Sequence, residues 1–230
     1  PCVVLKNFRS QWQGQTEANL ERILTTLKAL SPVLVVIDEA DAYLGDRDSS
    51  GDSGVSSRVF SRIAAFMGDS EHRGSIIWAL LTCRPDLLPV DLKRQGRAEE
   101  HVALFYPETA KGVDELYAVL CKKNGIQTAL KKLSPILKGD RMLSGADVEA
   151  GLVRAKFRAA GEGRSKVIKA DLEAVFKDFV PSTDPLAVEL QTLAAVLECT
   201  SRSMVPEDYR EVSPAALSAR LYDLKSLLDA

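Results

Sequence analysis

Two alternating patterns of apolar residues fill the first hundred positions of the chain. Short, nearly continuous apolar runs at residues 1–5, 33–37 and 75–81 predict buried β-strands. Between and after them, apolar residues recur every three or four positions over residues 16–30 and 59–67, which predicts helices. Strands that alternate with helices of this length form βαβ units, so we expect a mostly parallel sheet in a three-layer α/β fold. The run at 33–37 should be covered on both faces.

Helical spacing dominates after Pro107, and no convincing strand interrupts it. The predicted helices cover residues 109–123, 128–138, 144–160, 169–179, 186–200 and 214–228. The pattern changes near Tyr106 from alternating strands and helices to helices alone. Pro181 and Pro185 precede the last two predicted helices. We therefore predict a first α/β unit, a helical unit and a helical extension, over residues 1–106, 107–180 and 181–230.

Charge and composition argue against several classes of function. The 30 basic and 32 acidic residues leave a net charge of −2, which argues against a chain that mainly binds nucleic acid. No apolar run reaches the roughly 18–20 residues of a membrane-spanning helix, so we expect no membrane insertion. The cysteines lack metal-ligand spacing, which favours free thiols in a cytoplasmic protein; they are Cys2, Cys83, Cys121 and Cys199. The chain starts at Pro1 inside a strand-like run, and we interpret it as part of a longer protein.

An acidic pair, Asp38 and Glu39, follows the second predicted strand directly. Open α/β sheets bind their ligands at the carboxyl ends of parallel strands. One carboxylate there can hold Mg²⁺ through water while its neighbour activates an attacking water for phosphoryl transfer. Alternatively, Asp38 only caps the helix that follows. From the pair alone, both interpretations remain open.

Five segments of the chain resemble motifs of the AAA ATPase family, in the order that the family has them. They are residues 12–23 (WQGQTEANLERI), 35–42 (VVIDEADA), 81–88 (LTCRPDLL), 92–97 (LKRQGR) and 143–147 (LSGAD). They are similar to the pore-loop, Walker B, sensor, arginine-finger and lid motifs of the clade that includes valosin-containing protein, the proteasomal ATPases and the membrane-fusion ATPases. The resemblance implies an AAA nucleotide-binding subdomain, incomplete at its N-terminus, followed by an all-α lid and a helical C-terminal extension.

The resemblance implies a site for ATP and Mg²⁺. Asp38 would hold the magnesium ion through water, and Glu39 would activate the attacking water. Cys83 would occupy the sensor position near the γ-phosphate. Gly145 and Ala146 would lie against the adenine and ribose, because small residues let a helix start approach the nucleotide. Without the resemblance, the lid segment is only a capped helix start.

The resemblance also implies a homo-oligomeric ring, hexameric in the family, that acts on protein substrates. Arg94 and Arg97 would be arginine fingers that reach the γ-phosphate of a neighbouring subunit, since a planar guanidinium suits phosphoryl oxygens. The alternative interpretation of these two arginines is a solvated basic turn. Trp12, Gln13 and Gly14 would form a pore loop whose aromatic ring grips an extended polypeptide. A buried tryptophan is the alternative at that position.

Two departures from the family pattern affect the expected activity. The chain contains no G-x-x-x-x-G-K-[ST] segment, so the loop that cradles the phosphates is missing. We expect that loop upstream in the longer protein, and we expect this chain alone to be inactive. Cys83 stands where the family has asparagine, and a thiol is a poor hydrogen-bonding substitute. Gln95 replaces a proline, which is a milder change.

Two hypotheses for the function follow. The leading one is an ATPase, part of an ATP-hydrolysing ring protein that remodels, unfolds or translocates protein substrates through a central pore. The alternative is an ATPase-like scaffold or assembly protein in which nucleotide controls oligomerisation and hydrolysis is weak or vestigial. Cys83 favours the alternative, whereas the acidic pair and the two arginines favour the first hypothesis.

Overall fold

The computed structural model describes residues 1–5, 15–44, 55–137, 143–181 and 184–228. The chain divides into two compact units. The sheet unit consists of Pro1–Ala103 and Pro185–Ala230, and the helical unit consists of Leu104–Asp184. The helices at the end of the sequence therefore belong to the same compact unit as the sheet, although more than eighty residues of the helical unit separate them along the chain.

Three parallel strands form the sheet: β1 (Cys2–Leu5), β2 (Val33–Ile37) and β3 (Ile76–Leu80). They lie in the order β1-β2-β3, which makes β2 the central strand. Val35 of β2 pairs with Val3 on one side and with Trp78 on the other. The prediction of a parallel sheet, made from the alternation of strands and helices, is confirmed.

Two helices pack on one face of this sheet. They are α1 (Gln15–Leu30) and α3 (Val55–Met67), and a short helix, α2 (Ala40–Leu44), follows β2. Val35 and Ile37 are fully buried in the same apolar cluster as Leu24 of α1 and Ile63 of α3. This cluster is the core of the sheet unit, and it fixes the carboxyl ends of the strands relative to one another.

The opposite face of the sheet is apolar and open to solvent. Val4, Leu34 and Ile77 are 50%, 38% and 60% exposed, and Leu34 lies beside Ile77 in register. The expectation that β2 is covered on both faces is therefore not met within the described residues. The physical reason is that the buried residues of α1 and α3 join the cluster on the Val35 face only.

The helical unit contains α4 (Ala110–Lys123), α5 (Gly145–Gly161) and α6 (Lys169–Asp178). Helices α5 and α6 pack closely at Gly151, where an added Cβ would lie 2.5 Å from Cζ of Phe176. The buried Asp171 carboxylate accepts two hydrogen bonds from the Arg164 guanidinium, at 2.7 and 2.8 Å. These bonds outweigh the effect of burial and lower the pKa of Asp171 to about 2.

The helix predicted over residues 128–138 is wrong for the described residues 128–137, which form turns and irregular structure. The Asp114 carboxylate accepts hydrogen bonds from the backbone N–H groups of Leu133 and Ser134, each at 2.9 Å. Those amides are therefore not available for a helix. Pro135 has no amide hydrogen and disfavours the helical conformation of the residue before it. The proline was a visible signal against the prediction.

The end of the chain forms a helical pair in the sheet unit. Helix α7 (Pro185–Glu198) and helix α9 (Pro214–Leu228) make the pair, and the short α8 (Glu207–Arg210) lies between them in sequence. Leu193 and Leu224 are buried at 3% and 0% exposure. Arg220 of α9 donates two hydrogen bonds to the Glu189 carboxylate of α7, at 2.8 and 2.9 Å. Both C-terminal helices that the sequence predicts are thus confirmed.

Two further features are the state of the cysteines and the apolar content of the helices. All four cysteines lie in the described part of the chain and are free thiols, with Cys2 and Cys83 exposed. Within the same residues, no helix combines the length and the apolar content that crossing a membrane requires.

Candidate active site

The acidic pair lies at the carboxyl end of the central strand. Asp38 and Glu39 follow Ile37 immediately, and both residues are exposed. The Asp38 carboxylate accepts a hydrogen bond from the Glu39 backbone N–H at 2.9 Å. Glu39 has a positive φ of 50°, a conformation that residues other than glycine adopt at a cost. Two consecutive residues of this turn therefore expose their carboxylates to solvent.

The sensor segment follows β3 and lies at the same edge. The Leu81 backbone N–H donates to the Ile37 carbonyl at 2.8 Å, and the Ala40 N–H donates to the Leu81 carbonyl at 2.9 Å. These two bonds bind the end of β3 to both sides of the acidic pair. Cys83, the sensor residue suggested by the sequence, is exposed two residues further on. The acidic pair and the sensor segment are thus brought together.

Thr82 connects this segment to the helix that follows the acidic pair. Its hydroxyl donates to the Asp41 carboxylate and accepts a hydrogen bond from the Arg84 backbone N–H at 2.9 Å. Asp41 was visible in the sequence as the last acid of the Asp-Glu-Ala-Asp segment, but its partner was not. The contact fixes the sensor segment against α2, so Cys83 is placed by its neighbour's hydrogen bonds.

A charged cluster around Asp86 continues the sensor segment toward the C-terminal pair. The Arg84 guanidinium donates to both carboxylate oxygens of Asp86, at 3.0 and 3.1 Å, and the Lys225 ammonium of α9 lies 2.6 Å from the same carboxylate. Burial alone would raise the pKa of Asp86, but the two cations hold the pKa below its ordinary value. The contact with Lys225 was not predictable from the sequence, because Lys225 is distant from Asp86 along the chain.

The two candidate arginine fingers lie on one turn, residues 91–97, which we call the arginine turn. The Arg94 guanidinium lies 3.1 Å from the Asp91 carboxylate, and its side chain is 68% exposed. Arg97 donates to the Asp91 backbone carbonyl at 2.7 Å. Gly96 has a φ of 85°, which explains why glycine occupies this turn. Both of these contacts lie within the turn, and neither involves the acidic pair.

The lid residues suggested by the sequence lie in the helical unit. Gly145 and Ala146 begin α5, and Ala146 is exposed. Ser144 and Asp147 form a capping box, since the Ser144 hydroxyl accepts from the Asp147 N–H at 3.1 Å and the Asp147 carboxylate accepts from the Ser144 N–H at 2.9 Å. The structure confirms the capped helix start. Contact of these residues with adenine and ribose remains a prediction.

The pore-loop residues Trp12, Gln13 and Gly14 lie outside the described residues. Their proposed role therefore remains a prediction from the sequence. The helix that follows them is described, and its Glu17 accepts a hydrogen bond from Arg58 of α3 at 2.6 Å. Arg58 thus contributes to the attachment of α1 to α3.

The residues at this edge fit one part of an ATP site. Exposed carboxylates are the oxygen ligands that Mg²⁺ prefers, and Asp38 and Glu39 supply two of them. The backbone amides and lysine that would cradle the phosphates have no counterpart, because the sequence lacks the G-x-x-x-x-G-K-[ST] segment. The acidic pair therefore fits the metal-binding part of such a site, and the sequence contains no segment that would hold the phosphates.

Comparison with known proteins identifies the family that the first part of the chain resembles. Residues 3–106 match the family described as "ATPase family associated with various cellular activities (AAA)". The peroxisomal ATPase PEX6 of Kluyveromyces lactis is 30% identical over 166 residues, which cover 70% of this chain and 17% of that protein. The cell division cycle protein 48 homolog of Archaeoglobus fulgidus is 25% identical over 198 residues, covering 78% of this chain and 26% of that protein.

A third relative is the proteasome-activating nucleotidase of Saccharolobus solfataricus, which is 29% identical over 180 residues, covering 76% of this chain and 45% of that protein. The chain thus spans less than half the length of each of these three relatives. The family match contains β2, β3 and all of β1 except its first residue, together with the acidic pair, the sensor segment and the arginine turn. Residues 3–106 of this chain therefore belong to the AAA ATPase family.

Proposed function

We propose that this chain is part of an ATP-hydrolysing AAA ring protein that remodels, unfolds or translocates protein substrates through a central pore. The observation that carries the proposal is the shared edge at which Asp38 and Glu39 are exposed beside the sensor segment. Relatives named as a peroxisomal ATPase and as a proteasome-activating nucleotidase support an activity on nucleotides.

In this proposal the protein binds ATP and Mg²⁺. Asp38 holds the magnesium ion through water, and the ion supplies charge stabilisation to the phosphates. Glu39 accepts a proton from the water that attacks the γ-phosphate. Cys83 lies at the sensor position, and Gly145 and Ala146 contact the adenine and ribose. The exposure of both carboxylates supports their availability for these roles.

The ring follows from the proposed roles of Arg94 and Arg97. An arginine that acts on a neighbouring nucleotide requires a second copy of the chain, and the family resemblance suggests six. The 68% exposure of the Arg94 side chain supports this role, because a finger must be accessible to a neighbouring subunit. Trp12, Gln13 and Gly14 form the pore loop that contacts the protein substrate.

The proposed location of the protein is the cytoplasm. The free thiols of the four cysteines support this location.

One observation favours a second candidate function. Cys83 occupies the position at which asparagine would hydrogen-bond to the γ-phosphate or to the attacking water, and its thiol is a weak donor and acceptor. A scaffold or assembly protein, in which bound nucleotide controls oligomerisation and hydrolysis is weak, would tolerate this replacement. The two functions differ in whether the assembled protein turns over ATP.

The first test is Glu39→Gln in the full-length protein. We expect this variant to bind ATP and to release phosphate at least 100-fold more slowly, because the amide cannot accept the proton of water. Glu115→Gln is the matched control, since Glu115 is 68% exposed on α4 and its loss should leave turnover unchanged. Bound nucleotide and phosphate release are measured together. Undiminished turnover in Glu39→Gln would show that Glu39 is not the base.

The second test concerns the ring. The specific activity of the full-length protein should rise with subunit concentration, and added Arg94→Ala subunits should lower the activity of mixed rings more than their proportion. A finger contributes on the order of 10³–10⁵ to the rate in related phosphoryl-transfer systems. Trp12→Ala should keep basal hydrolysis and lose processing of a protein substrate. Turnover that is independent of concentration and unaffected by Arg94→Ala would contradict the ring and leave the scaffold function standing.

A further inference from the structure

The end of helix α7 runs beside the residues that follow the arginine turn. The His101 backbone N–H donates to the Thr200 hydroxyl at 3.0 Å. Nδ1 of the His101 ring lies 2.6 Å from the Glu198 carbonyl, and its Nε2 lies 2.9 Å from the Ala98 carbonyl. The imidazole therefore bridges the end of α7 and the residue directly after Arg97. Backbone and ring contacts together bind these two segments.

The Glu198 side chain makes a second connection, to the arginine turn itself. One carboxylate oxygen lies 2.5 Å from the Lys93 ammonium, and the other lies 3.7 Å from Nδ1 of His101. Lys93 and Glu198 are only 13% and 28% exposed, so this ion pair is partly removed from water. Breaking such a pair leaves one charge without its partner, which costs more than the loss of a fully solvated pair.

These contacts are placed on both sides of the two arginines. Lys93 directly precedes Arg94, and Ala98, which contacts the His101 ring, directly follows Arg97. Between them, the arginine turn is held by its own contacts to Asp91. Glu198 therefore fixes the base from which both guanidinium groups extend, although it touches neither of them.

We propose that Glu198 is a positioning residue, which acts through Lys93 and His101 to hold the arginine turn in the orientation that the arginines use toward a neighbouring subunit. The inference rests on the proposed finger role of Arg94 and Arg97. It assigns to the C-terminal pair a function in hydrolysis beyond packing, because α7 then determines the orientation of the Arg94 and Arg97 guanidinium groups. Displacements of about 1 Å in catalytic geometry can cost on the order of 10²-fold in rate.

The test uses the full-length protein and Glu198→Gln, which keeps the size of the side chain and removes its charge. We expect kcat of assembled rings to fall on the order of tenfold, with the ATP dissociation constant and the subunit concentration at half-assembly unchanged. Glu189→Gln is the matched control, because Glu189 lies on the same helix and pairs with Arg220 away from the arginine turn. The control should keep its kcat.

A double-mutant cycle separates positioning from general destabilisation. Glu198→Gln should have no further effect on kcat in the background Arg94→Ala with Arg97→Ala, because the groups it positions are gone. Lys93→Met should reproduce the loss, and it serves as the second variant if Glu198→Gln does not fold. A further loss in the arginine-free background, or an equal loss in the Glu189 control, would overturn the proposal.

The same cycle distinguishes this inference from the proposed function. If the arginine-free protein keeps full turnover, the finger role itself is wrong. If the arginine-free protein loses turnover while both Glu198→Gln and Lys93→Met keep theirs, the fingers are supported and the positioning role of Glu198 is wrong.

Discussion

The left-handed backbone of Glu39 makes a specific prediction about the relation between stability and activity. Its φ of 50° costs an ordinary L-residue roughly 1–2 kcal/mol, whereas glycine adopts it freely. We expect Glu39→Gly to be locally more stable than Glu39→Ala. Both variants should lose hydrolysis, because both lack the carboxylate that the proposed mechanism requires.

The comparison between the two variants isolates the backbone. Each removes the same negative charge beside Asp38 and the same exposed side chain, so those effects cancel in the difference. Alanine keeps the strain of about 1–2 kcal/mol, while glycine carries an extra unfolded-state entropy of about 0.5–1 kcal/mol. The glycine variant should therefore be more stable by about 0.5–1 kcal/mol.

Native-state hydrogen exchange on the full-length protein measures this difference where it arises. The amides of Ala40 and Leu81 bond between the ends of β2 and β3, so their protection reports opening of the turn at Glu39. Protection should be about two- to fivefold greater in the glycine variant than in the alanine variant. The Leu133 amide, in the helical unit, is the control and should not change. Equal or lower protection in the glycine variant would refute the strain at Glu39.

Three further predictions concern the sensor position and the helical unit. Cys83→Asn should raise ATP turnover of the full-length protein if the thiol is only a poor substitute; an unchanged or lower rate would mean that another residue has taken its place. Asp171→Asn should lower the free energy of unfolding by about 3 kcal/mol at neutral pH, because Arg164 loses its buried partner. The pKa of Asp171 is lowered on folding to about 2, so its contribution is complete above the unfolded pKa of roughly 3.9 and is lost as the pH falls toward 2. Urea midpoints of wild type and Asp171→Asn should accordingly converge at acid pH, and a constant difference would contradict this. Gly151→Ala should destabilise α5 by about 1–3 kcal/mol through its clash with Phe176, and Phe176→Leu should relieve part of that loss in the same unfolding assay.

The parts of the fold that were predictable from sequence depend on neighbouring residues. The strand at Val33–Ile37 is a continuous apolar run, and Asp38 and Glu39 follow it directly, so the placement of both acids needed only the local pattern. The capped start of α5 was predictable for the same reason, because its cap lies within four residues. The helix predicted at residues 128–138 was wrong although a local signal against it, Pro135, was present.

The partners of the site residues were not predictable in this way. Asp86 binds Lys225, and Glu198 binds Lys93, across separations that no periodicity in the sequence encodes. A lysine and a glutamate on helices give the same sequence pattern whether their side chains form an ion pair or are exposed to water. Only the packing of the C-terminal pair in the sheet unit selects these contacts.

The apolar face of the sheet that is exposed in this chain makes the energetics of covering it depend on temperature. Leu34 and Ile77 lie side by side in register, with Val4 on the neighbouring strand, so water meets a continuous apolar surface there. Near room temperature, the gain from covering such a surface is largely entropic, and it weakens on cooling. The apolar contribution to the binding of a polypeptide that packs on Leu34 and Ile77 is therefore larger in the warm than in the cold.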